Sequence, residues 1–221
     1  LVLIDFDLTI TTKDTTSILG EAALRMTGNP TSWSFFTDAY MDDYRKHRGS
    51  LPPSNDTSIE AVARRLDSYR HVEAASVTRI SEHQVFRGLT KEQLRSAGIA
   101  HQHLLRPGVL EALQLIPHLK IVSLNWSKDW ILGMLDPLPL QRDQIHCNDL
   151  EFQHELATGL VVQRVLTTMD KKKEVQAIKD ALSSSPKKVI YIGDSLGDLL
   201  PLVEADIGIV IGNNETLLST L

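Results

Sequence analysis

Leu1-Val2-Leu3-Ile4-Asp5-Phe6-Asp7-Leu8-Thr9 opens the chain, and its first four residues form an unbroken apolar run. A run without alternation reads as a strand buried on both faces, the pattern of a parallel sheet covered by helices on either side. Two carboxylates follow it at once. Acids are rarely placed at the exit of a buried strand without a partner that compensates their charge. The segment therefore predicts a central strand whose carboxyl end is a polar site.

Outward from this strand the chain divides. From about Ser17 to Leu105 the apolar spacing is helical: Ile18–Met26, an aromatic stretch at Trp33–Tyr44, Ile59–Leu66, Val72–Phe86 and Thr90–Ala97. Thr90 followed by Gln93 has the spacing of a capping box. After Arg106-Pro107-Gly108 strands and helices alternate. Strands are predicted at Lys120–Leu124, Gln144–Cys147, Lys188–Ile192 and Ile207–Ile211. Helices are predicted at Val109–Leu115, Ser127–Leu135, Asp170–Leu182 and Leu196–Glu204. A hairpin over Leu150–Val162 should turn at Thr158-Gly159. This alternation predicts an α/β fold, a Rossmann-like parallel sheet with crossover helices. Residues 1–16 and 106–221 would form the core, and residues 17–105 an inserted helical unit.

Composition narrows the function. Of 221 residues, 42% are apolar and 23% charged, ordinary globular values that exclude collagen-like, coiled-coil and disordered classes. The net charge of −5 argues against a dedicated nucleic-acid binder, which needs a basic face. Charge is almost balanced within 12–105, so the negative excess falls on the core, as suits a site for a divalent cation. The single cysteine, Cys147, cannot close an internal disulfide and points to a reducing compartment such as the cytoplasm. No apolar run approaches the roughly 18 residues of a membrane span.

Four polar clusters fall at strand ends or at a helix start, where open α/β sheets bind ligands. They are Asp5-x-Asp7-x-Thr9, Ser123 after Ile121-Val122, the run Lys171-Lys172-Lys173, and Gly193-Asp194-Ser195-Leu196-Gly197-Asp198. Together they have the chemistry of phosphoryl transfer. An ionised Asp5 can attack phosphorus, while the Asp7 carboxyl protonates the leaving oxygen and then activates water. Asp5 and Asp194 offer the hard oxygens that Mg²⁺ prefers. A serine hydroxyl and a lysine ammonium can neutralise phosphate oxygens. Lys171 is the better candidate lysine, because Val175 one turn on marks the core side of that helix; Lys172 comes second.

These four clusters, in this order, resemble the motifs of the haloacid-dehalogenase (HAD) superfamily, over nearly the whole chain from Leu3 to Ile211. The DxDxT form of the first motif is similar to that of the phosphatases, and Asp7 argues against dehalogenation. The resemblance implies Asp5 as nucleophile and Asp7 as acid/base. It implies Mg²⁺ held by Asp5, Asp7 (through its backbone carbonyl) and Asp194. Phosphate would lie at Thr9, Ser123, Leu124 and Lys171, with Asp198 supporting from behind and the helical insert acting as a cap. A closer likeness runs to the HAD part of plant thiamine-monophosphate phosphatases. It is carried by Thr12–Ala23, Val122–Ile131, Tyr191–Leu200 and Glu204–Val210, and implies a small soluble phosphomonoester as substrate.

Several residues read two ways. Asp14 either faces a cationic leaving group or caps the helix after it. Trp33, Phe35, Phe36, Tyr40 and Tyr44 form an aromatic stripe. Such stripes more often pack a core than cage a ligand, but Trp33, Tyr40 and Tyr44 with Asp14 are the candidates for selectivity. Asn125 reads as a helix cap ahead of a phosphate contact, His101-x-His103 as solvent-facing, and Cys147 as inert core. Other activities stay open: a phosphatase for an amino-alcohol, sugar or nucleotide phosphate, a receiver-like phospho-signalling module, or a non-catalytic pocket.

Overall fold

A computed structural model describes residues 1–182 and 188–221. In chain order the elements are β1 (Val2–Ile4), α1 (Thr16–Thr27), α2 (Trp33–Ser50), α3 (Ile59–Asp67), α4 (Arg70–Glu82), α5 (Lys91–Ala100) and α6 (Val109–Gln114). There follow β2 (Leu119–Val122), α7 (Lys128–Met134), β3 (Ile145–His146), β4 (Asp149–Gln153), β5 (Leu156–Val162) and α8 (Thr168–Asp180). The chain continues through β6 (Ile190–Gly193), α9 (Leu199–Glu204), β7 (Ile207–Val210) and α10 (Glu215–Thr220). Among the described residues no helix is long and apolar enough to cross a membrane.

The main sheet is parallel throughout, in the order β3-β2-β1-β6-β7. β1 is central because both its faces are apolar. Leu3 packs with Val175, Tyr191 and Leu202 on the α8–α9 side, and Ile4 with Ile121, Trp130 and Ile145 on the other. The chain leaves β1 for β2 on one flank and returns to β6 on the other. The carboxyl ends of these three strands therefore meet at a topological switch point, where such sheets place their ligands.

Between β1 and β2 the chain runs out and back through adjacent segments, with Thr12 N–H donating to Leu104 O at 2.8 Å and Arg106 N–H to Ile10 O at 2.9 Å. The helices beyond share one continuous core with the sheet, joining Phe36, Val77, Ile80 and Phe86 to Ile4 and Trp130. α5 lies directly on α7. A Cβ on Gly98 would strike the Trp130 carbonyl, and one on Gly133 the Arg95 carbonyl, so only glycine permits this approach of two backbones. Thr90 and Gln93 form the expected capping box at the start of α5.

The β4–β5 hairpin differs from its sequence reading. Its turn is His154-Glu155, at φ 48° and 68°, and not Thr158-Gly159. Gly159 instead lies within β5 at φ 98°, on the strand whose partner shifts register between Leu150 and Phe152. The hairpin props the inserted helices. Ala157 exchanges hydrogen bonds with Gly88 and Leu89, and Val161 N–H donates to Ser81 Oγ at 3.1 Å. What rises above the sheet is thus helical with a strand pair against it.

Candidate active site

The loop after β1 is wound into one tight turn. Ile10 and Thr11 N–H both donate to Phe6 O, and Leu8 N–H donates to Thr11 Oγ1 at 3.0 Å. Leu8 adopts φ 64°, a strained value for a leucine, and the Arg106 guanidinium holds the turn by donating to Leu8 O and Thr9 O at 2.6 and 3.0 Å. Phe6, fully buried, anchors the loop in the core. Asp5 and Asp7 are consequently presented from a rigid support.

Asp5 is buried and meets the Lys171 ammonium at 2.8 Å. Lys171 is itself fully buried on the first turns of α8, and its Nζ also donates to Asp198 Oδ1 at 2.7 Å. Lys172, by contrast, is partly exposed and faces Glu204 at 3.4 Å. Burial works against the Lys171 charge, but Asp198 and Asp5 outweigh it and hold the ammonium above its ordinary range. Burial, then the Asp198 charge, pushes the Asp5 carboxyl well up, while Lys171 pulls it back.

Asp198 is a hub. Its Oδ1 accepts from Lys171 and from the buried Tyr191 hydroxyl at 2.8 Å; its Oδ2 accepts from Asp194 N–H, Ser195 N–H and Ser195 Oγ at 3.1–3.2 Å. Gly193 must lack a side chain, because a Cβ there would meet the Asp198 carboxyl. Oxygens of Asp5, Asp194 and Asp198 lie within 4.8 Å of one another. Three carboxylates around one lysine leave a negative excess, and Asp194 too is pushed up, by burial and then by Asp198. The donor set fits a hard divalent cation. Asp198 has five donors already, which leaves Asp5 and Asp194 as the side chains free to bind one.

The Thr9 hydroxyl donates to Asp194 Oδ1 at 2.8 Å and so fixes that carboxylate. The Asp7 side chain turns the other way. Its Oδ1 accepts from Thr15 N–H and Oγ1 at 2.7 and 2.6 Å, and its Oδ2 from Asn125 Nδ2 at 3.0 Å. Burial, followed by the nearby Asp14 charge, still raises its carboxyl to about 6. The N-cap of α7 is Ser127 and not Asn125: the Ser127 hydroxyl accepts from Trp130 N–H, while Asn125 Oδ1 accepts from Ser127 N–H at 3.2 Å just ahead of the helix. Ser123 is buried at the end of β2, its Oγ accepting from Asn125 N–H at 3.1 Å, with Leu124 next to it.

A cavity of about 500 Å³ lies above these groups. Its floor consists of their chain neighbours: Leu124 beside Ser123, Leu196 and Gly197 beyond Asp194, and Asp14 and Thr16 around Thr15. Its walls carry Trp33, Phe36, Tyr40, Tyr44, Tyr69 and Trp126; Glu73 joins Asp14 as a second lining carboxylate, and no Lys, Arg or His lines it among the described residues. Trp33 is seated on Gly20 and lies 6.3 Å from Trp126; Tyr44 lies 4.9 Å from Tyr69. The Tyr40 hydroxyl donates to Glu73 at 2.8 Å, and burial pushes the Glu73 carboxyl up. Asp14 accepts from Thr16 N–H at 2.8 Å at the start of α1, whose N-cap is Thr15, and lines the cavity. Phe35 instead stacks on His83, exposed to solvent. His101 bonds Ala97 O away from the site, and Cys147 is buried beside β3, its thiol pushed up by that burial.

Tyr69, Glu73 and Tyr191 were not distinguished by the sequence. Tyr191 carried a usable signal, a hydroxyl in an otherwise apolar strand just before the Gly193-Asp194 motif.

No family model matches the chain. A CTO1 family protein of Schizosaccharomyces pombe is 34% identical over 235 residues, covering 97% of this chain and 82% of that protein. Cold tolerance protein 1 of Saccharomyces cerevisiae is 30% identical, over 92% of this chain and 75% of its own length. The mitochondrial bifunctional TH2 protein of Arabidopsis thaliana is 26% identical over 96% of this chain, which spans only 39% of that protein. Among solved structures, substrate-bound phosphoserine phosphatase superposes with a TM-score of 0.57 at 15% identity, covering 99% of this chain and 89% of its own. Cytosolic 5'-nucleotidase IIIB bound to cytidine gives 0.54 at 17% identity, over 95% and 70%. These structures share the fold. By its sequence relatives the chain belongs to the CTO1 family, and its fold is that of the haloacid-dehalogenase superfamily.

Proposed function

We propose that this protein is a Mg²⁺-dependent phosphomonoesterase that works through an aspartyl-phosphate and prefers small esters with a cationic leaving group, thiamine monophosphate first among them. The observation that carries the chemistry is the pairing of Asp5, salt-bridged to the buried Lys171, with Asp7, held by Thr15 and Asn125 two residues away. A carboxylate oxygen of Asp5 attacks phosphorus; the bond from phosphorus to the ester oxygen breaks, and that oxygen takes the Asp7 proton. Asp7 then removes a proton from water, whose oxygen attacks the phosphoaspartyl phosphorus. The bond to Asp5 breaks, releasing inorganic phosphate and restoring both carboxyl groups. Lys171, Ser123 and the Leu124 amide are assigned to the phosphoryl oxygens, where charge accumulates. Asp5, Asp194 and the Asp7 carbonyl would hold Mg²⁺, which would supply charge to screen Asp5 from the phosphate. Asp198 and Tyr191 keep Lys171 in place.

The cavity supports the choice of leaving group. Aromatic faces with two carboxylates and, among the described residues, no cationic side chain suit a positively charged ring or ammonium. The 26% likeness to the TH2 protein points the same way. The lone buried Cys147 suits a reducing compartment such as the cytoplasm.

A phosphate-release screen over cationic, neutral and anionic monoesters, with Mg²⁺ and with EDTA, is the test. Turnover that needs Mg²⁺ and favours cationic esters is expected. Turnover unaffected by EDTA would remove the metal assignment, and preference for anionic or neutral esters would remove the leaving-group assignment. Intact Mg²⁺ binding without turnover of any ester would favour a non-catalytic pocket.

A further inference from the structure

The wall of the cavity is tied to the floor of the site by one arginine. Arg70 is the first residue of α4, directly after Tyr69, and its guanidinium reaches across to α8. Nη1 donates to Asp170 Oδ2 and Nη2 to Asp170 Oδ1, both at 2.8 Å, a two-pronged grip on one carboxylate. Nη2 also donates to Asp67 Oδ1 at 2.8 Å and Thr167 Oγ1 at 2.9 Å, and the Thr167 hydroxyl donates onward to Asp67 at 2.6 Å. Asp170 is almost fully buried and accepts from Leu166 N–H at 3.0 Å as well. Exposed single ion pairs hold little, but a forked pair to a buried carboxylate within a closed network fixes geometry.

What it fixes is the cavity width at one seam. Leu66 and Tyr69 line the cavity from the α3–α4 corner, and Leu166, Thr167 and Thr168 line it from the start of α8. Asp170 immediately precedes Lys171, the group that touches Asp5. We infer that Arg70 is a positioning residue that sets the spacing between the leaving-group wall and the Lys171–Asp5 pair, and so determines which leaving groups fit. In its kinetic form this rests on the phosphatase reading above.

The test compares Arg70→Ala and Arg70→Lys with the parent, using thiamine monophosphate, whose leaving group is bulky, and acetyl phosphate, whose leaving group is small. Arg70→Ala should raise KM for thiamine monophosphate about tenfold or more, with kcat less affected and kcat/KM for acetyl phosphate within about threefold. Arg70→Lys keeps the charge but lacks the fork, so it should restore the bulky substrate only in part. Equal losses on both substrates, or full rescue by lysine, would overturn the inference. Amide hydrogen exchange provides a readout that needs no turnover. In Arg70→Ala, exchange should rise over 66–70 and 166–171 and not in α5 or α7; a uniform rise, or none, would overturn the clamp. If the parent hydrolyses neither compound, the thiamine monophosphate assignment fails while exchange still decides the role of Arg70.

Discussion

Replacing Tyr191 by phenylalanine removes one oxygen from the buried network around Asp198 and changes little else. The ring is fully buried between Leu3 and the α8–α9 layer, so phenylalanine fills the same volume and leaves no new cavity. What is lost is the 2.8 Å hydrogen bond to Asp198 Oδ1. Burial, then the charges of Asp198 and Asp5, hold the phenol far above its ordinary range, so it remains a donor at every working pH. A hydrogen bond to a charged acceptor contributes about 1.5–3 kcal/mol. Asp198 keeps four other donors, which places the loss at the lower end, about 1.5–2 kcal/mol. For a domain of this size that corresponds to a fall in Tm of about 3–8 °C. Thermal unfolding followed by circular dichroism at neutral pH measures it. Turnover should fall by about tenfold at most, because Tyr191 touches none of the reacting atoms and acts by sharing Asp198 with Lys171. A variant as stable as the parent would refute the reasoning, since it would mean that the network is not energetically coupled.

Gly133→Ala forces a Cβ against the Arg95 carbonyl, where neither backbone can yield, and should cost about 1–3 kcal/mol. Stability unchanged by urea titration would show that α5 and α7 are farther apart than described. Cys147 is buried and its thiol pushed up, so the native protein should resist iodoacetamide at mildly alkaline pH and react only once unfolded. Mass spectrometry of the treated protein reads this directly. For Asp170, burial raises the carboxyl but the Arg70 fork lowers it further, so its folded-state pKa lies below the ordinary one. Its contribution is present at neutral pH and lost as pH falls through the folded value. The gap in Tm between the parent and Asp170→Asn should therefore be widest near neutrality and close below about pH 4. A gap independent of pH would contradict the ion pair.

Much of the scaffold was legible because it is written in local patterns. The unbroken run Leu1–Ile4 reads as a strand covered on both faces, and the acids after it marked its exit. Thr90 and Gln93 announced their own helix start. The hairpin turn was misplaced because Thr158-Gly159 carries the usual turn chemistry, while His154 and Glu155 adopt left-handed backbone without it. The candidate site was legible where charged residues follow a strand end. It was not legible where meaning comes from distance along the chain. Thr9 and Asp194 are 185 residues apart, and Arg70 and Asp170 are 100 apart. Tyr69 and Glu73 look like ordinary residues of a polar helical region until folding turns them toward Tyr40 and Tyr44.

The central claim is that Asp5 becomes phosphorylated during turnover. Acid quenching in the steady state, followed by peptide mass mapping, tests it most directly. The expected result is a phosphoryl group on Asp5, absent from Asp5→Asn, whose turnover should fall by orders of magnitude while its fold survives. Steady hydrolysis with no phosphoryl group on Asp5, or parent-like turnover by a verified Asp5→Asn protein, would contradict it.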